Sequence, residues 1–444
     1  MKNILIIGAG RSAIALINYL ETHAGDNDWR ISVADKEIKQ LEGQILSSTR
    51  VLKFDLFNQE QLDNEVVLSD IVVSLLPASL HPIVAKVCLA KSVSLFTASY
   101  ESDEIKSMET EIKAKGLLFL NEMGLDPGID HMSAMQVLDR LKEDGHELKA
   151  FESFTGGLVA PESDNNPWHY KFSWNPRNVV VAGQGGTAKF IQEGKYKYIP
   201  YNRLFRRTEL IEIEDYGKFE GYANRDSLKY IDRYHLENVP TVYRGTLRRT
   251  GFCRAWNVFV QLGMTDDSYV MDHLEGMTYR DFVNSFLYYH PSDSVETKLY
   301  RAMHIDQDSD IIHRLEWLGI FEDEPIGLKS ATPAQVLEKL LTEKWLLQEE
   351  DKDMVVMWHK FIYRLDGDSN DTCLTSSLVV EGQNSVNTAM AKTVGLPLAI
   401  AVKLYLQGKI TQIGVHIPTN KELYEPILKE LQSYGIVFNE VITS

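Results

Sequence analysis

The segment that most limits what this chain can be is Asn3 to Leu20, NILIIGAGRSAIALINYL. Ile4 to Ile7 form an apolar run into Gly8-Ala9-Gly10-Arg11-Ser12-Ala13, and from Ala13 the apolar residues Ile14, Leu16, Ile17 and Leu20 recur at helical spacing. The pattern is strand, tight turn, helix. Gly8 permits the turn, Gly10 lets a pyrophosphate approach backbone N–H groups at the helix start, and Ala13 keeps helix and strand close. WRISVAD then supplies a second strand ending in Asp35, roughly 20 residues past the turn, where the ribose-binding acid belongs. Further strand patterns follow at RVLKFDL, DIVVSLLP, VSLFTAS and LLFLNE, separated by helical patterns such as LHPIVAKVCLAK and DEIKSMETEIKAKG. Strands alternating with helices predict an α/β chain with a parallel, doubly wound sheet of six strands, of the Rossmann type. The nicotinamide cofactor, NAD or NADP, turns on VADKEIKQ. Asp35 can accept hydrogen bonds from both ribose hydroxyls and would oppose a 2′-phosphate, which favours NAD. Lys36 reads as a solvated first-turn residue that would reach a phosphate only if Asp35 turned away.

Ligands of open α/β sheets bind beyond the carboxyl ends of the strands. LLFLNE ends at Glu122, so Met123 to Gly128 lie on that rim, and Ser99 and Tyr100 follow the fifth strand onto the same rim. Pro127 pushes Asp126 into an extended conformation, Gly128 permits a sharp turn, and Ile129, Met132, Leu138 and Leu141 mark the next helix. Asp126 is thereby aimed at the crevice near the nicotinamide, Asp130 caps the helix, and His131 is a structural histidine in its first turn.

With 444 residues the chain is long for one core and implies two or three domains. Its 44% apolar and 25% charged composition is that of an ordinary soluble protein, with no tract read as apolar enough to span a bilayer. The first residues run too quickly into glycines for a secretory signal, which places the protein in the cytoplasm. Cys88, Cys253 and Cys373 lack paired or metal-ligand spacing and read as buried free thiols. A formal charge of −17 argues against nucleic acid and requires that any anionic substrate find a local basic pocket. Candidates are Arg225 in GYANRDSLKY and Arg244, Arg248 and Arg249 in VYRGTLRRTGF, two of them around a Gly-Thr-Leu turn whose N–H groups can hold a carboxylate. FTGGLVAPESDNNPWHYKFSW reads as a long functional loop, with Gly156 and Gly157 allowing close ligand approach and Lys171 and Ser173 as weaker candidates.

GLDPGIDHM resembles the corresponding segment of saccharopine reductase, the glutamate-forming saccharopine dehydrogenase family of the aminoadipate route to lysine. SLLPASLHPIVAKVCLAKSVSLFTASY, GGLVAPESDNNPWHYKFSW, NRDS, RGTLRRTGF, DMVVMWHKF and TAMAKTVGLPLAIAV resemble it in the same order, with the weakest likeness over residues 265 to 350. The resemblance implies a dinucleotide domain (1–128 and 385–444), a mixed α/β substrate and dimerisation domain (129–264 and 352–384) and an inserted helical domain (265–351). It implies substrate contacts at Ser99, Tyr100, Arg225, Thr246, Leu247 and Arg248, a cofactor contact at Leu158, a homodimer, and NADP, which the familiar fungal members use. The cofactor set is Gly8, Gly10, Arg11, Ser12, Ala13, Asp35, Lys36, Asp55, Leu76, Pro77 and Leu158. The reaction implied is hydride transfer to the imine of glutamate and aminoadipate semialdehyde, giving saccharopine, a small molecule whose three carboxylates call for forked cations. Asp126 and Tyr100 are the candidates for proton handling. Carboxynorspermidine, carboxyspermidine or lysine dehydrogenases, and a non-catalytic NAD sensor, are the alternative readings.

Three segments are set aside. VVVAGQGGTAKF imitates a glycine fingerprint without a following acid-terminated strand. LDGDSNDT has the acids of a calcium loop but neither its glycine nor its closing Glu, and reads as a hairpin turn. The aromatic residues of YRDFVNSFLYYH read as core. Thr332 caps a helix opened by Pro333, and Thr419 with Glu422 forms a capping box.

Overall fold

A computed structural model describes residues 1–444 apart from 42, 366–369 and 444. The hairpin turn expected at LDGDSNDT therefore lies largely outside the described residues. Two compact units account for the chain, one built mainly from Met1–Glu147 and Leu378–Glu440, the other mainly from Leu148–Arg364.

In the first unit the strands are β1 (Lys2–Ile7), β2 (Trp29–Asp35), β3 (Arg50–Lys53), β4 (Ile71–Ser74), β5 (Ser94–Thr97) and β6 (Leu118–Leu120). The chain then supplies β7 (Glu147–Val159), β8 (Ala188–Gln192), β9 (Lys195–Ile199), β10 (Glu209–Ile213), β11 (Gly217–Ala223), β12 (Thr241–Arg249), β13 (Asp353–Arg364) and β14 (Asp371–Glu381) to a second sheet. It ends with β15 (Gly414–His416) and β16 (Asn439–Thr443). The first sheet is parallel throughout, in the order β15-β6-β5-β4-β1-β2-β3. The six strands of the sequence reading are present, and β15, three residues from far downstream, is a seventh. Strand order reverses between β1 and β4, so the crevice of this fold opens where Gly8 and Leu75 leave those strands.

The helix Ala13–Asn27 packs against the helix Ala389–Leu406. A Cβ on Gly395 would lie 2.8 Å from the backbone nitrogen of Leu16, so glycine is what lets the two backbones approach. Contrary to the reading that no tract could span a bilayer, the Ala389–Leu406 helix is long and apolar enough by composition. It is a core helix here, with 72% of that span buried. Another departure concerns the helix Lys421–Gln432, which Asn420 caps by accepting the Glu422 N–H, so the cap falls one residue beyond Thr419.

The second sheet is mixed, in the order β10-β11-β12-β7-β13-β14-β16, with β8 on β12 and β9 on β8. The Gly245-Thr246-Leu247 segment expected as a turn is the middle of β12, laddered to β11 on one side and β7 on the other. Its backbone N–H groups are committed to those ladders. Phe252–Leu262 is a helix whose Phe252, Ala255, Trp256 and Phe259 fall on one buried face. The presumed functional loop is also different: Phe154–Val159 completes β7, and Trp168, Tyr170 and Phe172 are fully buried against Trp345 and Phe252. Thr332 and Gln335 form the capping box of Pro333–Trp345. In YRDFVNSFLYYH, Tyr279, Phe282 and Val283 are core, whereas Tyr289 is 88% exposed. Cys88 and Cys253 are buried free thiols and Cys373 is half-buried.

Candidate functional site

In the first unit the glycine turn carries the clearest physical signature. Gly8 has φ +105°, and a Cβ there would lie 2.9 Å from the Leu75 carbonyl. Only glycine fits. Gly10 is the opposite case, because a Cβ would meet nothing within 4 Å. The chain's own packing does not demand glycine at position 10, whereas a closely approaching phosphate would. Ser12 stands at the start of the Ala13–Asn27 helix without capping it through its hydroxyl, and no acid occupies the first turn. An uncapped helix start suits an anion.

Asp35 ends β2 and ties the turn to that strand. Its Oδ2 accepts the Ala9 N–H at 2.6 Å and its Oδ1 accepts the Glu37 N–H at 2.8 Å. A carboxylate has about four acceptor positions, so two remain for ribose hydroxyls. Lys36 and Arg11 are exposed. Asp55, also exposed, takes the Phe57 N–H at 3.0 Å in the turn after β3. Leu76 and Pro77 follow β4, held by the bond from the Leu75 N–H to the Ile7 carbonyl.

On the rim, the Tyr100 hydroxyl donates to Asp126 Oδ1 at 3.0 Å, so two of the predicted residues are in direct contact. The Asp126–Pro127 peptide is cis. Gly128 has φ +147°, and a Cβ there would fall 2.0 Å from the Gly124 carbonyl oxygen, so the sharp turn requires glycine. Asp130 accepts the Gly128 N–H at 2.6 Å, reaching back over the helix start. His131 is fully buried with Nε2 2.7 Å from Glu122 Oε2. Glu122, buried at the end of the strand region, also accepts the Glu101 N–H at 3.0 Å. Two members of this rim were missed from sequence, Glu122 and His81. His81 lies 2.7 Å from the Ser99 hydroxyl, and the signal that would have found it is a polar residue opening an otherwise apolar helix.

The second unit holds the cations. Residues 244, 246 and 248 alternate onto one face of β12. Arg248 is 3% exposed. Its guanidinium lies 5.1 Å from the Tyr170 ring, 5.4 Å from Phe252 and 5.9 Å from Tyr222. One Nη donates to the Leu247 carbonyl at 2.8 Å, while Nε is buried without a partner. Among the described residues no carboxylate pairs with it. Burial pushes the neighbouring Tyr222 phenol up to about 12, so it stays neutral and adds no compensating charge. A desolvated cation of this kind is costly unless an anion joins it, and the aromatic rings offset only part of that cost.

The other cations differ. Arg244 stacks 4.1 Å over Tyr230. Arg249 donates to the Tyr216 carbonyl and covers the Phe219 ring, a structural role. Arg225 is exposed with φ +48°. Lys171 is buried in an ion pair with Asp351 at 2.7 Å, so its charge is already matched. Ser173 has a buried hydroxyl without a partner. Thr246 is half-buried, and Leu247 and Leu158 are fully buried in their strands. Gly156 was read as leaving room for a ligand, but a Cβ there would meet the Leu247 carbonyl at 2.6 Å, so strand packing requires it.

Comparison with known proteins gives a consistent result. Residues 4–120 match the family model described as saccharopine dehydrogenase NADP binding domain, and residues 124–436 match the saccharopine dehydrogenase C-terminal domain. The NADP(+)-dependent, L-glutamate-forming saccharopine dehydrogenase of Saccharomyces cerevisiae is 33% identical over 452 residues, covering 99% of both chains. The mitochondrial alpha-aminoadipic semialdehyde synthase of Rattus norvegicus is 34% identical over 454 residues, 99% of this chain and 47% of the synthase. The chain thus spans about half the length of such synthases. The apo structure of the yeast L-Glu-forming saccharopine dehydrogenase matches with a TM-score of 0.88 at 31% identity, covering 100% of both chains.

Proposed function

The chain belongs to the saccharopine dehydrogenase family, and from that premise we propose that it interconverts saccharopine with glutamate and 2-aminoadipate 6-semialdehyde. In the reducing direction the glutamate amine and the aldehyde condense with loss of water, and the imine carbon accepts hydride while its nitrogen gains a proton. The observation that carries this reading is Arg248, a buried guanidinium without an acidic partner among the described residues. A substrate carboxylate supplies the missing charge. Arg225 and Thr246 would hold further substrate oxygens, Tyr100 and Asp126 would orient the amine, and Ser99 would contact the substrate beside them.

A bound nicotinamide supplies the hydride donor or acceptor. The Gly8–Ala13 turn and the start of the Ala13–Asn27 helix would hold its pyrophosphate, and Asp35 its adenosine ribose. The yeast relative carries NADP(+) in its name. For this chain we propose NAD, because Asp35 is fastened by two backbone N–H groups and cannot turn aside for a 2′-phosphate without losing both. Asp126, oriented by Tyr100, is the candidate proton carrier. Replacing it by Asn should then lower turnover by more than about tenfold, and a smaller drop would leave it an orienting role.

A substrate panel tests the proposal. Purified protein with cofactor should reduce it in the presence of saccharopine and fail with lysine or carboxylated polyamines, which leave part of the cationic site unmatched. Faster turnover of a polyamine would transfer the assignment to that class.

A further inference from the structure

Ser99 is held from behind by a chain of buried groups. Its hydroxyl lies 2.7 Å from Nε2 of His81, whose Nδ1 lies 2.8 Å from the hydroxyl of Ser74. Ser74 ends β4 and is fully buried, and His81, 2% exposed, opens the helix His81–Lys91. The remaining neighbour is Thr97, with Oγ1 3.3 Å from Nε2 and accepting the Ser99 N–H at 3.2 Å. Burial pushes His81 down to about 4, so the ring is neutral near pH 7.

A neutral imidazole has one N–H donor and one acceptor nitrogen. The Ser74 hydroxyl has only Nδ1 as a partner among the described residues, and a buried O–H without an acceptor is unfavourable. Its proton therefore goes to Nδ1, and the ring proton sits on Nε2. At 2.7 Å Ser99 takes that Nε2–H, with Thr97 the longer and weaker contact. Having accepted from His81, the Ser99 hydroxyl turns its own proton away from the ring.

We propose that His81 is a positioning residue that fixes the Ser99 hydroxyl as a hydrogen-bond donor to a carboxylate oxygen of the substrate. The inference rests on the saccharopine reading above and adds to it a residue that acts only through Ser99.

The test is a double-variant cycle on the full chain, with steady-state kinetics for saccharopine and thermal melting of each variant. His81→Ala should raise KM for saccharopine about tenfold with kcat little changed, the scale of one hydrogen bond to a charged group. His81→Gln, whose amide N–H reaches the Nε2 position, should recover most of that loss. In a Ser99→Ala background, His81→Ala should add less than about twofold, because its route to substrate is gone. Multiplying effects in the double variant, or no recovery with Gln, would overturn the proposal. Imidazole 15N shifts of the wild-type protein decide the tautomer without turnover, and a proton on Nδ1 would also overturn it. An inactive wild type with the Nε2–H tautomer would sink the saccharopine reading and the carboxylate partner together, leaving only the geometry intact.

Discussion

At Arg248 a guanidinium is enclosed by Tyr170, Tyr222 and Phe252 with no carboxylate beside it among the described residues. Function and stability should separate there. An Arg248→Met variant removes a desolvated charge and keeps most of the volume, so it should melt no lower than wild type while KM for saccharopine rises at least about tenfold. A large drop in melting temperature with unchanged KM would mean that the arginine is structural. His81 makes a second residue-scale prediction. Its folded pKa of about 4 lies below the ordinary 6.5, so the unfolded chain binds the proton more tightly. Its contribution is full above pH 6.5 and declines as pH falls toward 4, by on the order of 3 kcal/mol. Denaturant titrations across that range should show a shallower pH slope for His81→Gln than for wild type. Neither residue's surroundings could be read beforehand. The partners of His81 come from positions 74, 97 and 99, and the rings around Arg248 from 170, 222 and 252, which only the fold assembles.

Elements were legible where one period ran long enough. The strand, glycine turn and helix at residues 2–27, the acid ending β2 and the rim turn at Asp126–Gly128 all stand where their local chemistry puts them. Legibility failed where composition misleads. Gly245 and Thr246 suggest a turn yet lie in a central strand, and the polar text around Trp168 hides three buried aromatic residues. β15 has three residues, too few for any period, and joins the sheet only because the downstream chain returns to β6. The return is tested at Gly395, where the Ala389–Leu406 helix meets the helix that starts at the cofactor turn. Gly395→Ala would press a methyl against the Leu16 backbone nitrogen and should cost about 1 to 3 kcal/mol. Cofactor affinity should weaken with it. A variant as stable as wild type would show that the two helices separate at little cost.

Over the whole molecule a charge of −17 repels a tricarboxylate, so most of the binding must come from buried cations such as Arg248, with exposed Arg225 a lesser contributor. Salt screens the long-range repulsion and barely touches desolvated pairs. KM for saccharopine should therefore stay level or fall as salt rises from roughly 0.05 to 0.3 M. A steep rise would mean that exposed arginines such as Arg225 do the binding. The central claim is that this chain oxidises saccharopine with NAD, and initial rates at the reduced-nicotinamide absorbance band test it most directly, with saccharopine and NAD or NADP in parallel. Reduction with NAD at a higher kcat/KM than with NADP is the predicted result, and a higher value for NADP would overturn the cofactor assignment. Absence of any absorbance change with either cofactor, from protein shown to bind them, would contradict it.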